Sequence, residues 1–113
     1  MADCIFCQII HTTLPAAIIH EAENFIVIRD IAPKAPVHLL LIPRKHIASL
    51  NEASRADKTL LGEMLYAAKQ LAHDHGIAES GYKVVMNTSA DGSQAVGHIH
   101  LHLVGAKKIE GIL

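Results

Sequence analysis

The 113-residue sequence contains no tryptophan and only two tyrosines and two phenylalanines. That leaves too few stacking surfaces for a platform that binds single-stranded nucleic acid. A basic excess is missing too: ten Lys plus Arg stand against eleven Asp plus Glu, for a formal net charge of -1. A general polyanion-binding surface is therefore excluded, and any phosphate recognition has to be local. No apolar run approaches the ~20 residues that span a bilayer, and no basic segment precedes the apolar residues of the opening MADCIFCQII. These absences predict a cytoplasmic protein with no nucleic-acid or membrane partner. Cysteine is scarce as well, with only Cys4 and Cys7, too close together to staple a loop, so they are reduced thiols or metal ligands.

What is present is a core and an unusual number of histidines. Half of the residues are hydrophobic and 19% are charged, which excludes intrinsic disorder and predicts one domain over residues 1–113. Ile5, Phe6, Ile9 and Ile10 recur at helical spacing and predict a short N-terminal helix over 4–10. Ile18 to Glu21 and Phe25 to Asp30 read as two strands of a hairpin separated by Ala22, Glu23 and Asn24. The apolar run Val37 to Ile42, stopped by Pro43, suits a central strand. Ser54 and Asp57 have capping-box spacing ahead of a helix whose one face carries Leu60, Leu61, Met64, Leu65, Ala68, Leu71 and Ala72, with Gly76 as its stop. Tyr82 to Asn87 and His98 to Val104 complete five strands, with a polar turn at 89–93 between them. Without regular strand-helix alternation, the fold class is α+β, with a five-stranded mostly antiparallel sheet, one long helix and the short N-terminal helix.

Nine histidines are the compositional oddity. Three alternate with apolar residues in His98-Ile99-His100-Leu101-His102-Leu103-Val104, a period of two that in a strand puts all three imidazoles on one face. At ~3.3 Å per residue, neighbouring imidazoles start ~6.6 Å apart and the outer pair ~13 Å apart, so two neighbours can grip one phosphate and three cannot. A neutral imidazole is a good nucleophile toward phosphorus, and a second can donate a proton to the leaving group. The competing readings are the solvent face of an amphipathic strand and a metal site made of all three. His38, inside the apolar run, reads as a buried, hydrogen-bonded supporting residue. His11, His20, His73 and His75 receive no role.

The alternating motif resembles the signature of the histidine triad (HIT) family. The resemblance extends over nearly the whole chain and is closest to the Hint branch, through Ile5-Phe6, Ile9-Ile10, Asp30-Ile31-Ala32-Pro33, Ala35-Pro36, His38, Ile42-Pro43, Lys45-His46-Ile47, Asn87 and Asp91-Gly92. It implies a purine nucleotide hydrolase of the phosphoramidase type, often a homodimer, that cleaves a nucleoside 5′-monophosphate from its leaving group. A phosphoramidate or an acyl adenylate would be the substrate, and no catalytic metal is required. His100 would be the nucleophile and His102 the contact to phosphate and leaving group. Asp30 would bind the ribose hydroxyls, Ile5, Phe6, Ile9 and Ile31 would form the slot for the base, and Asn87, Ser93, Gln94 and Ala95 would lie at the phosphate. Ala95 departs from the Ser common at that place, and Gly97 from an aromatic residue.

The resemblance also implies structural zinc held by Cys4, Cys7, His46 and His98, a closed set of two thiolates and two imidazoles. The alternatives are a dinucleoside polyphosphate hydrolase on the same fold, a nucleotide-binding interaction module with little or no turnover, and a purely structural zinc domain.

Overall fold

The computed structural model describes residues 4–110, so the ends of the predicted 1–113 domain lie outside the described residues. A short helix α1 (Ile5–Ile10) leads into strands β1 (Ile18–Glu21), β2 (Phe25–Arg29) and β3 (Val37–Pro43). Two single 3-10 turns then precede the long helix α2 (Lys58–Asp74), followed by β4 (Tyr82–Val85) and β5 (Leu101–Gly105). The strands form one sheet in the order β1-β2-β3-β5-β4, and every neighbouring pair is antiparallel. No helix among the described residues is long and apolar enough to cross a membrane.

Strand parity divides the molecule into two layers. Odd-numbered Phe25, Val27, Leu39, Leu41, Leu101 and Leu103 join Met64, Ala68, Leu71 and Ala72 of α2 in one cluster. Even-numbered Ile26, Ile28, Leu40 and Ile42 face the other way and join Phe6 and Ile9 of α1. A sheet covered on both faces explains why β2 and β3 read as continuous apolar runs. Ile26, Leu41, Ile42, Met64 and Leu103 are fully buried, each contributing about 2 kcal/mol through removal of apolar surface from water.

The α2 stripe is narrower than its sequence implies. Leu65 is 56% exposed, because it falls about 100° around the helix from Met64. Ahead of the helix, the Asp57 carboxylate accepts the Ser54 N–H at 2.8 Å and the Lys45 ammonium at 2.6 Å. Together these bonds hold the Asp57 pKa below its usual value, the Lys45 bond most of all. Gly76, with φ +72°, ends the helix in the left-handed region where glycine carries no steric cost.

Two strand ends differ from expectation by more than one residue. β4 stops at Val85 rather than Asn87, and β5 begins at Leu101 rather than His98. Continuing the β3–β5 register, in which Leu41 lies opposite Leu101, would set Ile99 against Pro43, which has no N–H to donate. The chain leaves the ladder there: the Ile99 N–H donates to the Ile47 carbonyl at 2.8 Å and the His98 N–H to Val96 at 2.8 Å. The three triad histidines are therefore not one strand face. Only His102 lies within β5, while His98 and His100 belong to the segment that enters it.

Candidate active site and metal centre

The even-numbered face of the sheet gathers the polar residues. The Asp30 N–H donates to the His38 carbonyl at 3.0 Å, extending the β2–β3 pairing by one residue. His102 lies opposite Leu40, which makes His38 its diagonal neighbour on the same face. His38 is 3% exposed and its proton is fixed by its surroundings. The Lys34 N–H donates to His38 Nδ1 at 3.1 Å, so Nε2 carries the hydrogen. That hydrogen meets His102 Nδ1 at 2.9 Å, with Asp30 Oδ2 3.3 Å from the same Nε2. His102 Nδ1 is thus an acceptor, and the His102 proton sits on Nε2. The other carboxylate oxygen of Asp30 accepts the Ala32 N–H at 2.8 Å.

His100 is oriented by the segment that enters β5. Its Nδ1–H donates to the His98 carbonyl at 2.9 Å, which leaves the lone pair on Nε2. Its ring stands edge-on to Phe6, with centroids 5.0 Å apart, and 5.0 Å from the ring of His102. Burial pushes the pKa values of His38, His98 and His100 down, each as the largest cause. For His102, burial and then the charges of His100 and His38 push it down to about 4. The whole row is neutral near pH 7, as a nucleophilic imidazole requires.

The depressed pKa values of His38 and His102 carry a stability consequence. Below about 6.5 the unfolded chain binds protons that the folded chain refuses, so stability is complete above that pH and is lost as pH falls toward 4. For His102 alone, the drop from 6.5 to about 4 is worth about 3 kcal/mol at the acid end. Urea unfolding at pH 7.5 and pH 5.0 is expected to show about 2 kcal/mol of this loss, and His102→Gln should flatten the dependence. Equal stability of the wild type at both pH values would contradict it.

A second cluster lies beside the first. Cys4 caps α1, its Sγ accepting the Cys7 N–H at 3.4 Å, and both thiols turn toward the segment after β3 and the one before β5. Cys4 Sγ is 3.3 Å and Cys7 Sγ 3.7 Å from His98 Nδ1, and Cys7 Sγ is 3.3 Å from His46 Nδ1. Tetrahedral zinc with ordinary bond lengths sets sulfur and nitrogen about 3.6 Å apart, so these spacings suit a metal. The tautomer suits it too: His98 Nε2–H donates to the Pro43 carbonyl at 2.8 Å, leaving Nδ1 free to ligate. Burial, then Cys4, raises the Cys7 pKa, which holds a proton on sulfur until a metal displaces it. Asp30, His38 and His102 also converge within ligand distance. There, however, the Lys34 N–H occupies His38 Nδ1, so Nε2 carries a proton and is closed to a metal.

The remaining predicted residues divide. Phe6 and Ile9 are buried in the α1 cluster, so they build the floor of the site rather than an open slot. Ile5 is 49% and Ile31 97% exposed, and of the four only these offer surface to a base. Asn87 and Gln94 are half-buried, while Ser93 and Ala95 are exposed on the 88–96 turn. The Ser93 and Gln94 N–H groups are spent within that turn, on the Ala90 and Ser89 carbonyls. Sequence reasoning missed the Lys34 backbone N–H that sets the His38 tautomer. His38 itself was legible as a buried supporting residue, from its place inside an apolar run and within the resemblance to the histidine triad family. A groove of about 560 Å³ lined by His20, Phe25, Tyr66 and Leu71 lies toward α2 and includes none of the predicted site residues.

An antiparallel five-stranded sheet with the triad histidines gathered at the entry to β5, on the side away from its long helix, defines a class. A family model described as scavenger mRNA decapping enzyme C-term binding matches residues 3–112. A HIT-like protein of Synechococcus elongatus is 43% identical over 107 residues, covering 95% of this chain and 93% of that protein. The purine nucleoside phosphoramidase of Escherichia coli K12 is 39% identical over 111 residues, covering 98% and 93%. The crystal structure of a HIT family hydrolase from Legionella pneumophila superposes with a TM-score of 0.93 at 44% identity, covering 96% of each chain. A zinc-bound histidine triad family protein from Mycobacterium smegmatis matches with a TM-score of 0.82 at 29% identity, over 99% of this chain and 81% of that one. The chain belongs to the histidine triad family and is a hydrolase of that family.

Proposed function

We propose that this hydrolase cleaves a purine nucleoside 5′-monophosphate from an amine or acyl leaving group through a nucleotidyl-His100 intermediate. The observation that carries the reading is the His100 Nδ1–H bond to the His98 carbonyl at 2.9 Å, which aims an unprotonated Nε2 away from the backbone. In the first step His100 Nε2 attacks the α-phosphorus and the bond to the leaving group breaks. The phosphate charge raises the His102 pKa, so the site takes up one proton with the substrate. His102 gives its Nε2 proton to the departing atom and returns to neutral. While His102 carries a hydrogen on Nδ1, the His38 N–H turns to Asp30 Oδ2, 3.3 Å away. In the second step water attacks phosphorus with its proton passing to His102 Nε2, the P–N bond to His100 breaks, and His102 releases its Nδ1 proton as the monophosphate leaves.

Within this reading Asp30 also meets the ribose hydroxyls with the lone pairs that His38 and Ala32 leave unused. Ile5 and Ile31 flank the base, and Asn87 and the 93–95 segment lie at the phosphate. Cys4, Cys7, His46 and His98 would hold zinc in a structural role, supported by their spacing and by the zinc-bound Mycobacterium smegmatis relative. The metal would cross-link α1 to the segments on either side. We also read the protein as a cytoplasmic homodimer, with sedimentation velocity as the check on its oligomeric state.

The test is release of AMP from adenosine 5′-phosphoramidate, with diadenosine polyphosphate as the competing substrate. A higher kcat/KM on the phosphoramidate is expected, and a higher kcat/KM on the polyphosphate would displace this reading. Ala95→Ser adds a hydroxyl donor on the turn and is expected to raise kcat/KM on amines of high pKa by roughly 10-fold, about one hydrogen bond in the transition state. An unchanged rate would mean that position 95 does not face the leaving group.

A further inference from the structure

The side chain of Gln94 is already engaged within the protein. Its Nε2 donates to the Ala48 carbonyl at 2.6 Å and to the Val96 carbonyl at 2.8 Å, while its Oε1 accepts the Ser89 N–H at 2.9 Å. Both amide hydrogens and one oxygen lone pair are used, which leaves little capacity for a ligand. The turn so held has little freedom of its own. Ser89 and Ser93 sit at φ +58° and +61°, left-handed conformations that a residue with a side chain keeps only when its surroundings enforce them. Gly92 is pressed against Thr88 so closely that a Cβ would lie 2.4 Å from the Thr88 carbonyl oxygen. On the far side, the neighbouring Ile47 carbonyl receives the Ile99 N–H, next to His98 and His100. Gln94 thus ties the 88–96 turn to the segment against which the nucleophile is registered.

We propose that Gln94 is a positioning residue whose side chain contacts no part of the substrate and instead holds the 88–96 turn in its strained shape, presenting Ala95 to the phosphate. The proposal rests on the reading of this turn as phosphate-facing. The tests use Gln94→Glu, which keeps an acceptor for the Ser89 N–H but sets a carboxylate against two carbonyls, and Gln94→Met, which removes every bond. Should the Met variant fail to fold, the Glu variant alone supplies the measurement.

Amide hydrogen exchange at residues 93 and 94 is read in the nucleotide-free protein, because those N–H groups bond to Ala90 and Ser89 and not to the Gln94 side chain. Protection there is expected to fall at least about 10-fold. In parallel, kcat/KM on adenosine 5′-phosphoramidate is expected to fall roughly 100-fold, the cost of misplacing a site element by about 1 Å. Unchanged protection with lowered activity would make Gln94 a direct substrate contact and overturn the proposal. Lost protection with unchanged activity would overturn it as well, since the turn would then be irrelevant to turnover. A wild-type protein that releases no AMP would defeat the substrate reading, while the exchange measurement would still decide whether Gln94 holds the turn.

Discussion

His100→Ala is expected to lower kcat/KM on adenosine 5′-phosphoramidate by roughly 10⁴-fold or more, the scale seen when a nucleophile is removed from a site that acts as a unit. Affinity for AMP should stay within about 3-fold, because the phosphate keeps His102 and the backbone turn while only an uncharged imidazole is lost. Structural damage is not expected to mask the result, because among the described residues the imidazole of His100 bonds to the carbonyl of His98, two residues away, and packs edge-on against Phe6. Rapid quench of the wild type with radiolabelled substrate should trap label on His100, and His102→Ala should slow formation of that adduct without abolishing it. Residual turnover in His100→Ala above a hundredth of the wild-type rate would reassign the nucleophile.

Removing the metal is expected to produce the largest change in stability. If one zinc per chain is bound by Cys4, Cys7, His46 and His98, free zinc at about a thousand times its Kd adds about 4 kcal/mol to the folded state. For a chain of this size that corresponds to a fall of roughly 15 °C in Tm on exhaustive chelation. Cys7→Ser should reproduce the fall and make Tm insensitive to added zinc. Turnover is expected to fall with the metal, because the ring of His98 faces the cluster while its carbonyl holds His100. Metal analysis that finds no zinc, or a Tm indifferent to chelator, would show the thiols to be ordinary buried cysteines.

Much of this arrangement was legible in the residues, and the failures have physical causes. The hairpin at Ala22–Asn24, the central β3 and the Gly76 stop each follow from a local signal that no tertiary contact opposes. The histidine alternation misled in one respect: its period is that of a strand, but the ladder ends where Pro43 would have to donate, a fact that belongs to the partner strand. The Cys-x-x-Cys spacing is equally compatible with two small core residues. It becomes informative only once β3 and the entry to β5 bring His46 and His98 to the N-terminal end of α1. Helical spacing likewise could not separate Phe6 and Ile9, which face the sheet, from Ile5, which faces solvent. That division depends on which part of the α1 surface meets the even face of β2 and β3.

Because chemistry and helix packing occupy opposite faces of one thin sheet, the two can be varied almost independently. Leu39, Leu41, Leu101 and Leu103 point toward α2, so a combinatorial library at those positions samples thermal tolerance while the reacting groups keep their places. His38, Leu40 and His102 alternate with them along the same strands, with Asp30 just past the end of β2 beside His38, so substitutions on this side change the chemistry. An insertion of one residue within β3 would exchange the two sets, burying a leucine where an imidazole is needed and an imidazole among leucines. Length changes in descendants of this sequence should therefore accumulate between strands, while β3 keeps its seven residues.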